Sequence, residues 1–122
     1  MTTSTWVSWL ITCTCKPDDY ARIDNLASEM TAYFQEHEPR TTHFEWSITD
    51  DHSQVHIHER YADSDQAMSH MSFFQENYGK AFSELLNPQA VVVYGHPSPE
   101  LANALQALKP MVMTTLQGFS RP

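Results

Sequence analysis

Apolar positions along this chain repeat with two different periods, and the switches between them divide it into elements. WVSWLITCT, residues 6 to 14, is rich in β-branched and aromatic residues and reads as a strand ending before Lys16-Pro17. Tyr20, Ile23, Leu26, Ala27, Met30, Tyr33, Phe34 and His37 then recur at steps of three and four. That spacing predicts a helix with one apolar stripe, opened by Pro17, Asp18 and Asp19 and stopped by Pro39. Two alternating runs between 41 and 61, around Asp50-Asp51-His52-Ser53, predict a β-hairpin. With Asp51 and His52 at its tip, Trp46 faces Ile57, Ile48 faces Val55 and Phe44 faces Glu59, while Glu45 meets His58 on the other side.

Asp63, with Gln66 three residues on, predicts a capped helix starting near Ser64. Its inner stripe is Ala67, His70, Met71, Phe74 and Tyr78; Gly79 permits a break before a second helical piece from Lys80 to Leu86, which Pro88 closes. AVVVY, residues 90 to 94, is continuously apolar, as in a strand buried on both faces. Gly95-His96-Pro97 turns into SPELANALQAL, a short helix opened by Ser98 and Pro99, and Pro110 leads to a last strand in MVMTTLQGF. The order βαββαβ, with a C-terminal helix and strand, predicts an α+β fold of ferredoxin-like type. One domain over 1–122 is expected, with a core over about 6–95 and an extension over 96–122. Helices cover one face of such a sheet, and the AVVVY run calls for a cover on the other. A second copy of the chain would supply it, so a homodimer is expected.

Composition narrows the function. A formal charge of −8 with only 7 Lys plus Arg leaves no basic patch, which argues against nucleic-acid or anionic-membrane partners. The first apolar run is too short and too interrupted by Ser and Thr to span a bilayer and lacks the positive flank of a secretory signal, so the expected location is cytoplasmic. Cys13 and Cys15 lie two apart on one strand and read as small buried thiols, with no second CxC or CxxC to complete a metal site.

The anomaly is HIHERYADSDQAMSHM, residues 56 to 71. It places Glu59 among the apolar positions Val55, Ile57 and Tyr61, and His70 on the inner side of the next helix. A carboxylate on such a face needs an ion pair, hydrogen bonds or a cavity beside it. One answer is a structural salt bridge to Arg60, Arg22 or a partner chain. The other is an acid–base pair, Glu59 orienting a near-neutral His70, beside an apolar slot for a planar aromatic molecule. Phe44, Trp46, Ile57, Tyr61, Met71 and Phe74 would line that slot, with Phe44, Trp46, Tyr61 and Phe74 as the substrate-binding set. His43, His56 and His58 share the polar face and offer three imidazoles to a divalent metal, with no fourth ligand evident.

ERYADSDQAMSHM, residues 59 to 71, resembles a segment of the antibiotic biosynthesis monooxygenase superfamily. There a strand ends in Glu-x-aromatic, an acidic or Ser turn follows, and the next helix presents an Ala and then a His. The likeness in element order runs over about 6–95, and residues 96–122 resemble an extended branch. The resemblance implies a dimeric α+β barrel and oxygenation of a small quinol, anthrone or phenolic compound by O2, with no metal, flavin or nicotinamide. It carries over to Glu59 and His70 alone, as the pair that would bind or deprotonate the substrate hydroxyl. Haem-degrading relatives have an axial histidine further along this helical region, where this chain has Tyr78 and no His. The fold also serves non-catalytic homodimeric ligand-binding or accessory proteins, which stands as the alternative.

Overall fold

A computed structural model describes residues 5–122 of the chain, so the first four residues of the expected domain lie outside the described region. The strands are β1 (Val7–Cys15), β2 (Thr41–Ile48), β3 (Gln54–Tyr61), β4 (Leu86–Gly95) and β5 (Met111–Met113). The helices are α1 (Tyr20–His37), α2 (Ser64–Asn77), α3 (Gly79–Leu85) and α4 (Pro99–Leu105). The sheet order is β2-β3-β1-β4-β5, antiparallel throughout except for β5, which runs parallel to β4. This is the expected ferredoxin-like α+β arrangement, with α4 and β5 added at its end.

The hairpin has the register its alternation predicts, with Trp46 opposite Ile57, Ile48 opposite Val55, Phe44 opposite Glu59 and Glu45 opposite His58. Asp51 organises its tip: one carboxylate oxygen accepts from the hydroxyls of Thr49 and Ser53 and from the Ser53 N–H, while His52 takes a positive φ.

One face of the sheet carries the helices. Ile23, Leu26, Met30 and Phe34 of α1 pack on Cys13, Val55 and Ile57, while Ala67 of α2 and Leu101 and Leu105 of α4 pack on Val7, Trp9, Tyr61 and Val93. Burying one such side chain contributes roughly 1.5–3 kcal/mol. Cys13 is a buried free thiol, and Cys15 a partly buried one.

Two boundaries and one burial pattern differ from expectation. Strand β4 begins at Leu86, and Pro88 falls at the irregularity where the β1 register shifts, a position that tolerates a missing N–H. Within AVVVY only Val91 and Val93 are buried, Val92 is half-buried and Tyr94 is exposed. The outer face of the single chain is therefore open. The last strand stops at Met113, and Leu116 and Phe119 stand in solvent. Gly95 makes the turn into the extension with φ of 94°, where a Cβ would lie 2.6 Å from the Trp6 carbonyl oxygen.

Candidate active site

Alternation along β3 delivers Glu59 to the helix-covered face: Val55, Ile57, Glu59 and Tyr61 are buried, and His56, His58 and Arg60 point the other way. The Asp63 carboxylate caps α2 by accepting the Gln66 N–H at 2.9 Å, and this start sets the helix phase so that Ser64, Ala67 and His70 face inward. Glu59 and His70 are only 4% and 3% exposed. Nε2 of His70 lies 2.9 Å from Oε1 of Glu59.

A third member, Glu38, was not foreseen. Its Oε1 lies 2.9 Å from His70 Nδ1 and accepts the Thr41 hydroxyl at 2.8 Å. On the other side Tyr61 donates its hydroxyl to Glu59 Oε1 at 2.5 Å. Thr41, Glu38, His70, Glu59 and Tyr61 thus form one continuous polar chain through an otherwise apolar layer. Arg40, between Glu38 and Thr41, pairs with Asp63, which ties the end of α1 to the start of α2. The signal for Glu38 was in the α1 stripe. Met30, Phe34 and Glu38 are spaced by four, whereas His37, the expected stripe member, is exposed.

The cluster also changes the expected protonation. Burial on its own lowers the pKa of a histidine, but the hydrogen bonds and charges of Glu38 and Glu59 outweigh it and hold His70 at about 9. At neutral pH His70 is therefore an imidazolium between two carboxylates, not the near-neutral base expected. Burial, and then the neighbouring Glu59, push the Tyr61 phenol well above its usual range, so it remains a donor.

Glu59 and His70 form part of the wall of a cavity of about 600 Å³. Most of the wall is apolar, including Trp9, Ile11, Phe44, Ile57, Phe74 and Phe82. The extension contributes Leu105 and Leu108 to the same wall. Of the expected substrate-binding set, Phe44 and Phe74 are at the cavity, together with Ile57 and Met71. Tyr61 is fully buried behind Glu59. Trp46 stands elsewhere, beside a separate hollow of about 100 Å³ with Tyr20, Ile23 and Asp24, because Phe82 packs against it with ring centres 6.0 Å apart.

The structural partner of Glu59 is His70 and none of the arginines considered. Arg22 pairs with Asp19 at 3.6 Å, and the Arg60 guanidinium lies 4.1 Å over the Trp6 ring. Among the described residues no group of three or more His, Cys, Asp or Glu is arranged to hold a metal ion, so His43, His56 and His58 do not converge. In the hairpin His43 stands opposite Arg60, His58 opposite Glu45 and His56 opposite Ser47. Among the described residues no helix is long and apolar enough to cross a membrane.

The chain has the α+β fold of solved structures named as candidate antibiotic biosynthesis monooxygenases, which is the fold that the resemblance of residues 59 to 71 implies. Among its structural neighbours is MupZ from Pseudomonas fluorescens, at 20% identity and a TM-score of 0.83, covering 97% of this chain and 96% of that one. Rv0793 from Mycobacterium tuberculosis follows at 21% identity and a TM-score of 0.64, over 77% of this chain and 97% of its own. A candidate antibiotic biosynthesis monooxygenase from Nitrosomonas europaea matches at 17% identity and a TM-score of 0.63, over 81% and 97%. No protein-family model and no curated protein sequence matches the chain.

Proposed function

We propose that the cavity is the active site of a cofactor-independent monooxygenase acting on a small, largely apolar quinol, anthrone or phenolic compound. The observation that carries this is a carboxylate, Glu59, in the wall of a largely apolar cavity and backed by a histidine cation. Glu59 takes the proton of the substrate. His70, with both ring nitrogens already engaged, holds Glu59 in place and balances its charge. Phe44 and Phe74 bracket the guest. The resulting anion gives one electron to O2, and the substrate radical and superoxide combine. Glu59 returns its proton to the peroxide, and the hydroperoxide loses water, so that the reacting carbon, a ring C–H of the phenol or the methylene of the anthrone, becomes a carbonyl while O2 ends as that oxygen and H2O. The apolar walls keep bulk water away from the anion.

The homodimer belongs to the same proposal. Tyr94, Met111, Val112, Met113, Leu116 and Phe119 are exposed apolar side chains on β4, β5 and the tail, and a second copy would cover them. Sedimentation analysis checks it; a monomer at micromolar concentration would contradict it.

One observation favours a second reading. Both nitrogens of His70 and Oε1 of Glu59 are satisfied within the protein, as in a purely structural ion cluster, which fits a non-catalytic homodimeric binder of small ligands. O2 uptake with a panel of quinols and anthrones separates the two. Consumption by the wild type that falls at least 100-fold in Glu59→Gln and in His70→Ala, with both variants folded by circular dichroism, supports the enzyme. Ligand binding with a flat oxygen trace supports the binder. Substrate consumed without O2 would recast Glu59 and His70 as base and acid in a redox-neutral reaction.

A further inference from the structure

The cavity wall is apolar at most positions, and its few polar side chains fall into two groups. Glu59 and His70 form one. Gln75, Lys80 and Ser83, from the end of α2 and from α3, form the other. Glu59 and His70 are buried, whereas Gln75, Lys80 and Ser83 are exposed. The first group therefore lies in the closed inner wall of the cavity and the second at its open rim.

Lys80 is the one cationic side chain among the wall residues apart from His70, whose charge is already matched by Glu38 and Glu59. Cations are scarce in this chain, 7 against 15 acids. Arg22 and Arg40 are in ion pairs, while Arg60 and Arg121 lie over the rings of Trp6 and Phe119. Lys80 is in none of the ion pairs among the described residues, although Glu76 and Glu84 stand four residues to either side of it. Charge then fixes polarity. An anion near Glu59 meets two carboxylates against one imidazolium and is repelled, whereas at the rim it meets the Lys80 ammonium with the amide of Gln75 in the same wall, the Ser83 hydroxyl being given to the Lys80 carbonyl.

We propose that the natural ligand is an apolar molecule with a carboxylate at one end, held by Lys80 at the rim, with its reacting hydroxyl at Glu59 in the inner wall. This rests on the cavity being the site and names the substrate class for it.

Titration calorimetry with 2-naphthylacetate and its neutral analogue 2-naphthylacetamide tests this on the full chain. Wild type should bind the acetate about five- to tenfold more tightly than the amide. Lys80→Gln should bring the two probes to equal affinity, Lys80→Arg should keep the preference, and Lys80→Glu should reverse it. Equal binding of both probes by wild type, or a preference for the acetate that survives Lys80→Gln, would overturn the assignment of Lys80 and leave the cavity standing. Failure of both probes to bind wild type would overturn the cavity as a site, and the proposal with it.

Discussion

His58 and Glu59 are neighbours on one strand and live in opposite environments. His58 faces outward beside Glu45 in open solvent, and Glu59 faces inward with 4% of its surface exposed. Outside, water screens each charge and no partner is needed. Inside, each charge has a specific partner within hydrogen-bonding distance, and those partners come from three separate elements: the end of α1, β3 and α2. Alternation along a single strand is thus enough to turn a routine surface position into one that organises the fold around it.

Breaking the inner side should have the largest effect. His70→Leu removes the cation and strands two carboxylates in a dry layer, which should cost ~3–5 kcal/mol in denaturant unfolding. His58→Leu should cost less than about 0.5 kcal/mol. Similar values for the two would mean that the buried cluster is not an ion cluster at all. Raising the pH should have the next largest effect. His70 is held at about 9 against an ordinary value of 6.5, so its stabilisation is complete below about pH 6.5 and is lost as pH rises through about 9. Unfolding free energies at pH 6.5 and pH 9.5 should differ by on the order of 3 kcal/mol, a difference absent in His70→Leu.

Glu38→Gln sharpens the comparison within the cluster, because it keeps an oxygen facing Nδ1 but removes the charge. It should cost about 1–2 kcal/mol and lower the His70 pKa, as followed by NMR of the imidazole nitrogens. The smallest effect should come from Glu45→Gln, opposite His58, at about 0.5 kcal/mol or less. A larger loss there would show that the outer face is covered in solution, and would fall away on dilution of the copy that covers it.

Local chemistry made most of the fold legible. The hairpin register followed from alternation, and the start of α2 from the Asp63 cap, because both are decided by residues within a few positions of each other. Glu59 and His70 stood out as polar groups at apolar positions of those same elements. Glu38 did not, because its partner is 32 residues away and a glutamate before Pro39 looks like an ordinary helix end. The protonation of His70 followed it out of view, since one carboxylate orients an imidazole and two keep it charged. Trp46 was misplaced for a related reason. Its face was right, but α3 puts Phe82 against it, and no local pattern says where a second helix will lean.

Leu105 and Leu108 reach the cavity from chain that follows β4, while Glu59, His70 and Glu38 all precede it. The reactive end and part of the enclosure are therefore encoded in separable stretches. Substitution at Leu108, which is 49% exposed and outside the buried core, can alter which guest fits without touching the side chains that carry the charges, so selectivity in this architecture can diverge faster than chemistry.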